Sequence, residues 1–245
     1  MSRNPAPVVV ACAMEEEAAP ILEFLDRRDE DDLPSLPALP PGFRGPLRFV
    51  AGAYEDIPVL VAVTGIGMTN AALAATIIAR EVHPQAILFA GTTGGLGEQI
   101  RLGDIVLATS ALYHDADASA FGYIPGQIPR MPETYEADTL LLATVQEALT
   151  KANLFFREGQ VSASNSFVSG DQVGPVRTLF PHVLAVDMET AAGAQVCWSF
   201  RVPWVSLRAV SDLCDPNAGE VFETSAPSAY EQSAAAVKAV LTAVH

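Results

Sequence analysis

The sequence predicts an α/β protein, a single domain with a mixed central β-sheet and helices on both faces. Two observations carry that expectation. Short β-branched apolar runs alternate along the chain with alanine-rich stretches of helical length, as strand–helix repetition requires. The 245 residues are 50% hydrophobic and only 18% charged, enough to bury a sizeable core as one unit.

Taken in order, residues 8–13 (VVVACA) read as a strand and 15–25 as a helix. Residues 47–53 and 58–64 are strands, and 68–82 (MTNAALAATIIAREV) is a helix. Strands follow at 86–91 and 104–113, a helix at 139–153, and another at 188–200. Strand 203–212 (PWVSLRAVSD) precedes a last helix near 226–243. Residues 26–46 mix a charge run with prolines; they predict a surface excursion between the first helix and the second strand.

Composition excludes several classes of function. The net charge is −15, from 14 basic and 29 acidic residues, and no Lys/Arg cluster could face a phosphate backbone. Nucleic acid is therefore a poor partner, although a nucleoside without phosphate is not. Cys12, Cys197 and Cys214 form no CxxC pair, which predicts reduced, buried thiols in a cytosolic protein. Among the histidines only His114, in YHDAD with Asp115 and Asp117, invites a metal reading, and a loop of satisfied polar groups explains it better. The apolar stretch VVVACAM is short and ended by acids, unlike a signal peptide or a membrane span. A cytoplasmic protein is expected, with no metal.

In open α/β sheets, ligands bind beyond the carboxyl ends of strands, and the residues of interest fall there. Glu15, Glu16 and Glu17 follow directly on the first strand. Consecutive helical residues point about 100° apart, so the three cannot share one pocket. The dipole at a helix N-terminus favours carboxylates and accounts for Glu15 and Glu16 without any catalytic role. Asp212 ends a largely apolar strand; burial without a cationic partner would raise its proton affinity and suit it to act as an acid. Arg208 lies four residues earlier on the same face, and a close Arg208–Asp212 pair would oppose that. Capping of a following helix is the plainer role for Asp212 and Ser211. Glycines in TGIG and GTTGG read as turns permitting close approach to a ligand; no GK[ST] follows, so they are not a Walker loop.

Six ordered segments together resemble the purine nucleoside phosphorylase/hydrolase superfamily, and within it the 5'-methylthioadenosine/S-adenosylhomocysteine nucleosidases. They are AMEEEAAPI (13–21), TGIGMTNAALAATII (64–78), AGTTGGL (90–96), YHDADASAFGYIPGQIP (113–129), VDMETAA (186–192) and RAVSD (208–212). The resemblance implies hydrolysis of the N-glycosidic bond of methylthioadenosine and S-adenosylhomocysteine, releasing adenine in methionine salvage without a cofactor. Such chemistry needs an acid for the base, an aimed water, and stabilisation of a cationic sugar. By resemblance Glu17 is the general base that holds water, and Asp212, oriented by Ser211, is the acid at adenine N7.

Glu189 would bind both ribose hydroxyls, with Met188 packed on the sugar, while Asp187 makes structural contacts. Phe167 would stack on adenine, Val168 would offer main-chain groups, and Thr93 and Gly94 would run along the pocket. Met14, Ile66 and Phe222 match positions lining the 5' subsite, which Phe121 and Pro129 complete from the second subunit of a homodimer. The chain departs from the family pattern at Asn165 (commonly Asp), Thr93 (commonly small) and Asp187 (commonly Glu). A phosphorylase, a futalosine-type hydrolase and a catalytically silent nucleoside-binding module are the competing readings.

Overall fold

The computed structural model describes residues 6–26, 34–39 and 41–244. Nine strands among the described residues form one mixed sheet. They are β1 (Val8–Cys12), β2 (Arg48–Tyr54), β3 (Ile57–Val63), β4 (Ala86–Gly95), β5 (Ile105–Tyr113), β6 (Tyr135–Glu136), β7 (Phe156–Ala163), β8 (Val183–Asp187) and β9 (Trp204–Asp212). The helices are α1 (Glu15–Glu23), α2 (Met68–Ile77), α3 (Thr139–Lys151), α4 (Val173–Leu179), α5 (Thr190–Phe200) and α6 (Ala218–Ala243).

The strand periodicity of two decides where the helices sit. Val9 and Ala11 of β1, Leu60 and Ala62 of β3, and Ile87 and Phe89 of β4 enter one core with Ala71, Ala74 and Ile78 after Gly67, and Ala191, Ala194 and Cys197 of α5. The alternate residues Val8, Val10, Val59, Val61, Leu88 and Ala90 enter a second core with Ile21 of α1, Leu149 of α3 and Leu241 of α6. Helices thus cover both faces, and β1, β3 and the first half of β4 between them are apolar at every position.

β4 organises the sheet. Its ten residues are all buried. Along one edge it pairs in parallel with β9, from Ile87↔Trp204 to Gly94↔Asp212. The other edge is divided: Ala86–Phe89 pair with β1, and Gly94–Gly95 pair with β8. Pairings β9–β5, β5–β7 and β7–β8 then return to β4, so five strands close on themselves while β1, β3 and β2 extend outward as a wing.

Several boundaries differ from the sequence expectation. GTTGG is not a turn: β4 continues through it to Gly95, with a register irregularity at Thr93/Gly94. Met188 and Glu189 precede α5 rather than opening it. α6 begins at Ala218, eight residues before the expected start, because it accommodates Pro227 in its interior, where proline usually breaks a helix. Strands β7 and β8 and helix α4 were not expected; β7 is half exposed along much of its length and lacks a clean apolar pattern.

Of the expected excursion, residues 27–33 and 40 lie outside the described residues. Its later part does not simply cover the surface: Leu39 and Phe43 pack against the first core.

A close approach between α5 and β4 supplies a test of this packing. A Cβ on Gly193 would stand 2.3 Å from the Phe89 ring, whereas one on Gly174 would meet nothing within 4 Å. Gly193→Val is expected to lower the unfolding free energy by about 1–3 kcal/mol in urea titrations. Gly174→Ala, in a helix, should stabilise slightly, by about 0.5–1 kcal/mol.

Candidate active site

The cavity opens where β1 and β8 part along the divided edge of β4, the switch point at which ligands collect in such sheets. It encloses about 420 Å³. Met14 and Glu17 enter it from the end of β1, Thr92, Thr93 and Gly94 from β4, and Met188 and Glu189 from the end of β8. Arg208, Ser211 and Asp212 come from β9, and Phe222 from the first turns of α6. Glu17 and Asp212 therefore share one cavity.

Helical geometry separates the three glutamates as expected. Glu15 and Glu16 are exposed, and Glu15 pairs with Arg48 on the surface. Glu17 is 2% exposed. Its Oε2 accepts the amides of Ala13 (2.9 Å) and Met14 (3.1 Å). Its Oε1 accepts the Thr92 amide at 2.8 Å and the Thr92 hydroxyl at 2.9 Å. Amides only donate, so both oxygens are held as acceptors.

This arrangement needs Gly91, whose φ is +132°. Any Cβ there would lie 2.3 Å from Glu17 Oε1. Thr92 escaped sequence reading: two adjacent threonines gave no sign which one faces the carboxylate, and alternation along β4 sends the Thr93 hydroxyl instead to the Val186 carbonyl at 2.8 Å.

Arg208 is 3% exposed and does not pair with Asp212. Its Nε lies 3.3 Å from Asp187 Oδ2, its Nη2 lies 3.2 Å from Glu189 Oε2, and its Nη1 donates to the Thr92 carbonyl at 2.9 Å. Asp187 also accepts the amides of Glu189 (2.9 Å) and Thr190 (2.8 Å) and the Thr190 hydroxyl. It thereby satisfies the free N–H groups that open α5. Glu189 Oε1 accepts the Gly67 amide at 2.8 Å, which ties the TGIG loop to the site. Burial pushes Glu189 above the usual carboxylate range, against the pull of Arg208.

Asn165, one of the departures from the family pattern, accepts the Met68 amide at 3.0 Å. It therefore caps α2 beside the Gly67–Glu189 contact.

Asp212 has a different setting. It is 1% exposed, its Oδ1 accepts the Cys214 amide at 3.0 Å, and its Oδ2 accepts the Ser211 hydroxyl at 3.0 Å. Burial holds its carboxyl above the usual range, against these hydrogen bonds. The same Ser211 hydroxyl lies 3.3 Å from the Thr93 carbonyl. It can donate to Asp212 when that group is ionised and turn to Thr93 when it is protonated.

Next to Asp212 a small recess of about 30 Å³ is lined by Phe167, Val168, Gly94 and Met188. Phe167 also meets Phe222 edge-to-face, with centroids 6.2 Å apart. Ile66 lies at the cavity with half its surface exposed. Phe121 and Pro129 do not line the cavity within this chain; both are exposed, Phe121 by 83%. His114 meets the Ser162 hydroxyl at 3.0 Å, the satisfied loop contact expected of it.

The raised proton affinity of Asp212 has a measurable consequence. A carboxyl that binds its proton more tightly folded than unfolded contributes stability fully below about pH 4, the ordinary aspartate range. That contribution is lost as pH rises through the raised value. Asp212→Asn carries no such charge, so in thermal melts it should gain on the wild type as the pH rises above about 4. A margin that stays flat or narrows would contradict the assignment.

Comparison with known proteins agrees with this geometry. Residues 7–243 match the phosphorylase superfamily. A 5'-methylthioadenosine/S-adenosylhomocysteine nucleosidase of Staphylococcus haemolyticus is 35% identical over 230 residues, 94% of this chain and 96% of the relative. The corresponding nucleosidase of S. pneumoniae, solved with a transition-state inhibitor, is 30% identical and superposes with a TM-score of 0.87 over 98% of this chain and 100% of its own. The futalosine hydrolase of Helicobacter pylori, 28% identical, reaches 0.85 over 96% and 97%, so the fold alone does not part these two activities. The chain belongs to the phosphorylase superfamily and, within it, to the 5'-methylthioadenosine/S-adenosylhomocysteine nucleosidases.

Proposed function

We propose that the protein is an N-ribosyl hydrolase that releases adenine from 5'-methylthioadenosine and S-adenosylhomocysteine. The observation that carries the mechanism is the contrast between two buried carboxyl groups on one cavity. Glu17 is surrounded by donors and acts as an acceptor; Asp212 is buried without a cation and favours its proton. In the proposed reaction Asp212 protonates adenine N7 as the N-glycosidic bond breaks, so the base leaves neutral. Water held by Glu17 attacks the anomeric carbon and gives its proton to that carboxylate. The products are adenine and the 5'-thioribose.

The remaining residues serve the cation formed between them. Glu189 accepts the 2'- and 3'-hydroxyls, and its charge stabilises the oxocarbenium-like sugar most strongly in the transition state. Met188 packs on the ribose, Phe167 on the base, and Val168 offers main-chain groups in the recess beside Asp212. Thr93 and Gly94 form the β4 wall, and Met14, Ile66 and Phe222 receive the 5'-thio group.

Arg208 is the one cationic lining residue among those described, and it is engaged by two carboxylates. A phosphate dianion would instead meet Glu17, Glu189 and Asp187, which supports water over phosphate as nucleophile. We further propose a cytoplasmic homodimer acting in methionine salvage. Three buried free cysteines support the compartment, and no helix of the described residues is long and apolar enough to cross a membrane. The exposure of Phe121 and Pro129 supports their reaching a partner's cavity.

Adenine release from a nucleoside panel in phosphate-free buffer tests the activity. Methylthioadenosine and S-adenosylhomocysteine should be cleaved at full rate, and a strict phosphate requirement would overturn the hydrolase reading. Preference for futalosine would move the chain to the other branch. Glu17→Gln and Asp212→Asn should each still bind a substrate analogue yet lose about 10²–10⁴-fold in kcat; near-wild-type turnover would remove that residue from the mechanism. Phe121→Ala should raise KM for methylthioadenosine, and dilution to a fully active monomer would end the shared-site proposal.

A further inference from the structure

Cys214 stands two residues beyond Asp212, on the turn between β9 and α6. It is 1% exposed, within an apolar cluster that includes Leu96, Val168 and Val186. Its backbone is left-handed, with φ of +58°, a conformation most side chains avoid. Both of its main-chain groups are engaged: the amide donates to Asp212 Oδ1 at 3.0 Å, and the carbonyl accepts the Gly170 amide at 3.0 Å. The thiol lies on the same side of Gly94 as the Asp212 carboxyl, and its nearness lowers that group's proton affinity. Sulfur and carboxylate also press on one bare stretch of β4, since a Cβ on Gly94 would lie 2.6 Å from Cys214 Sγ and 3.2 Å from Asp212 Oδ1.

We propose that Cys214 is a positioning residue for the acid: its amide and thiol anchor one edge of the Asp212 carboxyl and set how readily that group releases its proton. This rests on the reading of Asp212 as the acid. With Oδ1 held by Cys214, Oδ2 is the oxygen that carries the proton, and the Ser211 hydroxyl beside it can turn toward Thr93 to make room. A thiol is a weak donor. It steadies the ionised carboxylate less than a hydroxyl would, so orientation is gained without making the acid too strong to hold its proton. Burial and the neighbouring Asp212 charge keep the sulfur a thiol. The other charged groups facing this pair are Asp215 on the same turn, Arg177 of α4, Glu223 of α6, and Glu17, Asp187, Glu189 and Arg208 across the cavity.

The test is the pH profile of kcat/KM for methylthioadenosine. Asp212→Asn comes first: if it keeps activity, the acid reading has failed, whatever Cys214 does. If it is inactive, Cys214→Ser and Cys214→Ala decide. Hydrogen bonds to the charged form favour that form, so serine should move the alkaline limb to lower pH and alanine to higher pH. Each should change the maximum by no more than about tenfold, far short of the loss expected of an acid.

Should alanine fail to fold, Cys214→Gly relaxes the left-handed backbone, keeps the amide, and should move the limb in the same direction as alanine. Should the limb lie beyond the stable range, the infrared carbonyl band of protonated Asp212, identified by difference from Asp212→Asn, gives the same titration. A limb or band that stays put in both serine and alanine variants, or moves the same way in both, overturns the proposal.

Discussion

One guanidinium buried among carboxyl groups sets the terms for the rest of this site. Five carboxyl groups and a single arginine line the cavity. Removing charges from water is costly unless they are paired, and Arg208 lies within ion-pair distance of Asp187 and Glu189 together. With its third edge on the Thr92 carbonyl, it has no direct contact left for Asp212. The acid consequently lies among neutral donors, and burial raises its proton affinity against the hydrogen bonds those donors supply. Asp187, half of that balance, simultaneously anchors the start of α5, so the charge distribution and the local backbone depend on one another.

Strand β4 converts this electrostatics into shape. Because its edge passes from β1 to β8, the two strands diverge and leave space for a ligand, while β9 keeps the opposite edge rigid. Close approach is possible only because side chains are missing at two points. Gly91 lets the Glu17 carboxylate lie against the backbone, and Gly94 lets Asp212 and Cys214 do the same. Ser233 of α6 completes the support: its hydroxyl accepts the Gly91 amide and donates to the Leu207 carbonyl. The helix that brings Phe222 to the cavity thus also ties the two central strands together further along its length.

Much of the fold was legible in the sequence because fully buried strands are nearly continuous apolar runs, as in β1, β3 and the first half of β4. What escaped was less regular. β7 is half exposed, and β8 has only five residues, so neither generates a strong pattern. GTTGG was misread as a turn because glycine marks bends far more often than it marks strand segments against which carboxylates must pack. Pro227 hid the first two turns of α6, although Phe222 at the cavity belongs to them.

At the site, the residues carrying the chemistry were identifiable by type and order: an acid after the first strand, another at the end of the last, and the VDMETAA and RAVSD segments between and around them. Their partners were not. The sequence alone left open whether Arg208 neutralises Asp212; it does not, because β9 aims the guanidinium at the end of β8 rather than along its own strand. The sequence by itself determined which side chains were available and on which elements, since periodicity and local turn preferences are properties of neighbouring residues. Which of them share a charge, lie beside a missing Cβ or accept the same amide was decided only in three dimensions, where residues more than a hundred positions apart meet, as Arg208 and the Thr92 carbonyl do.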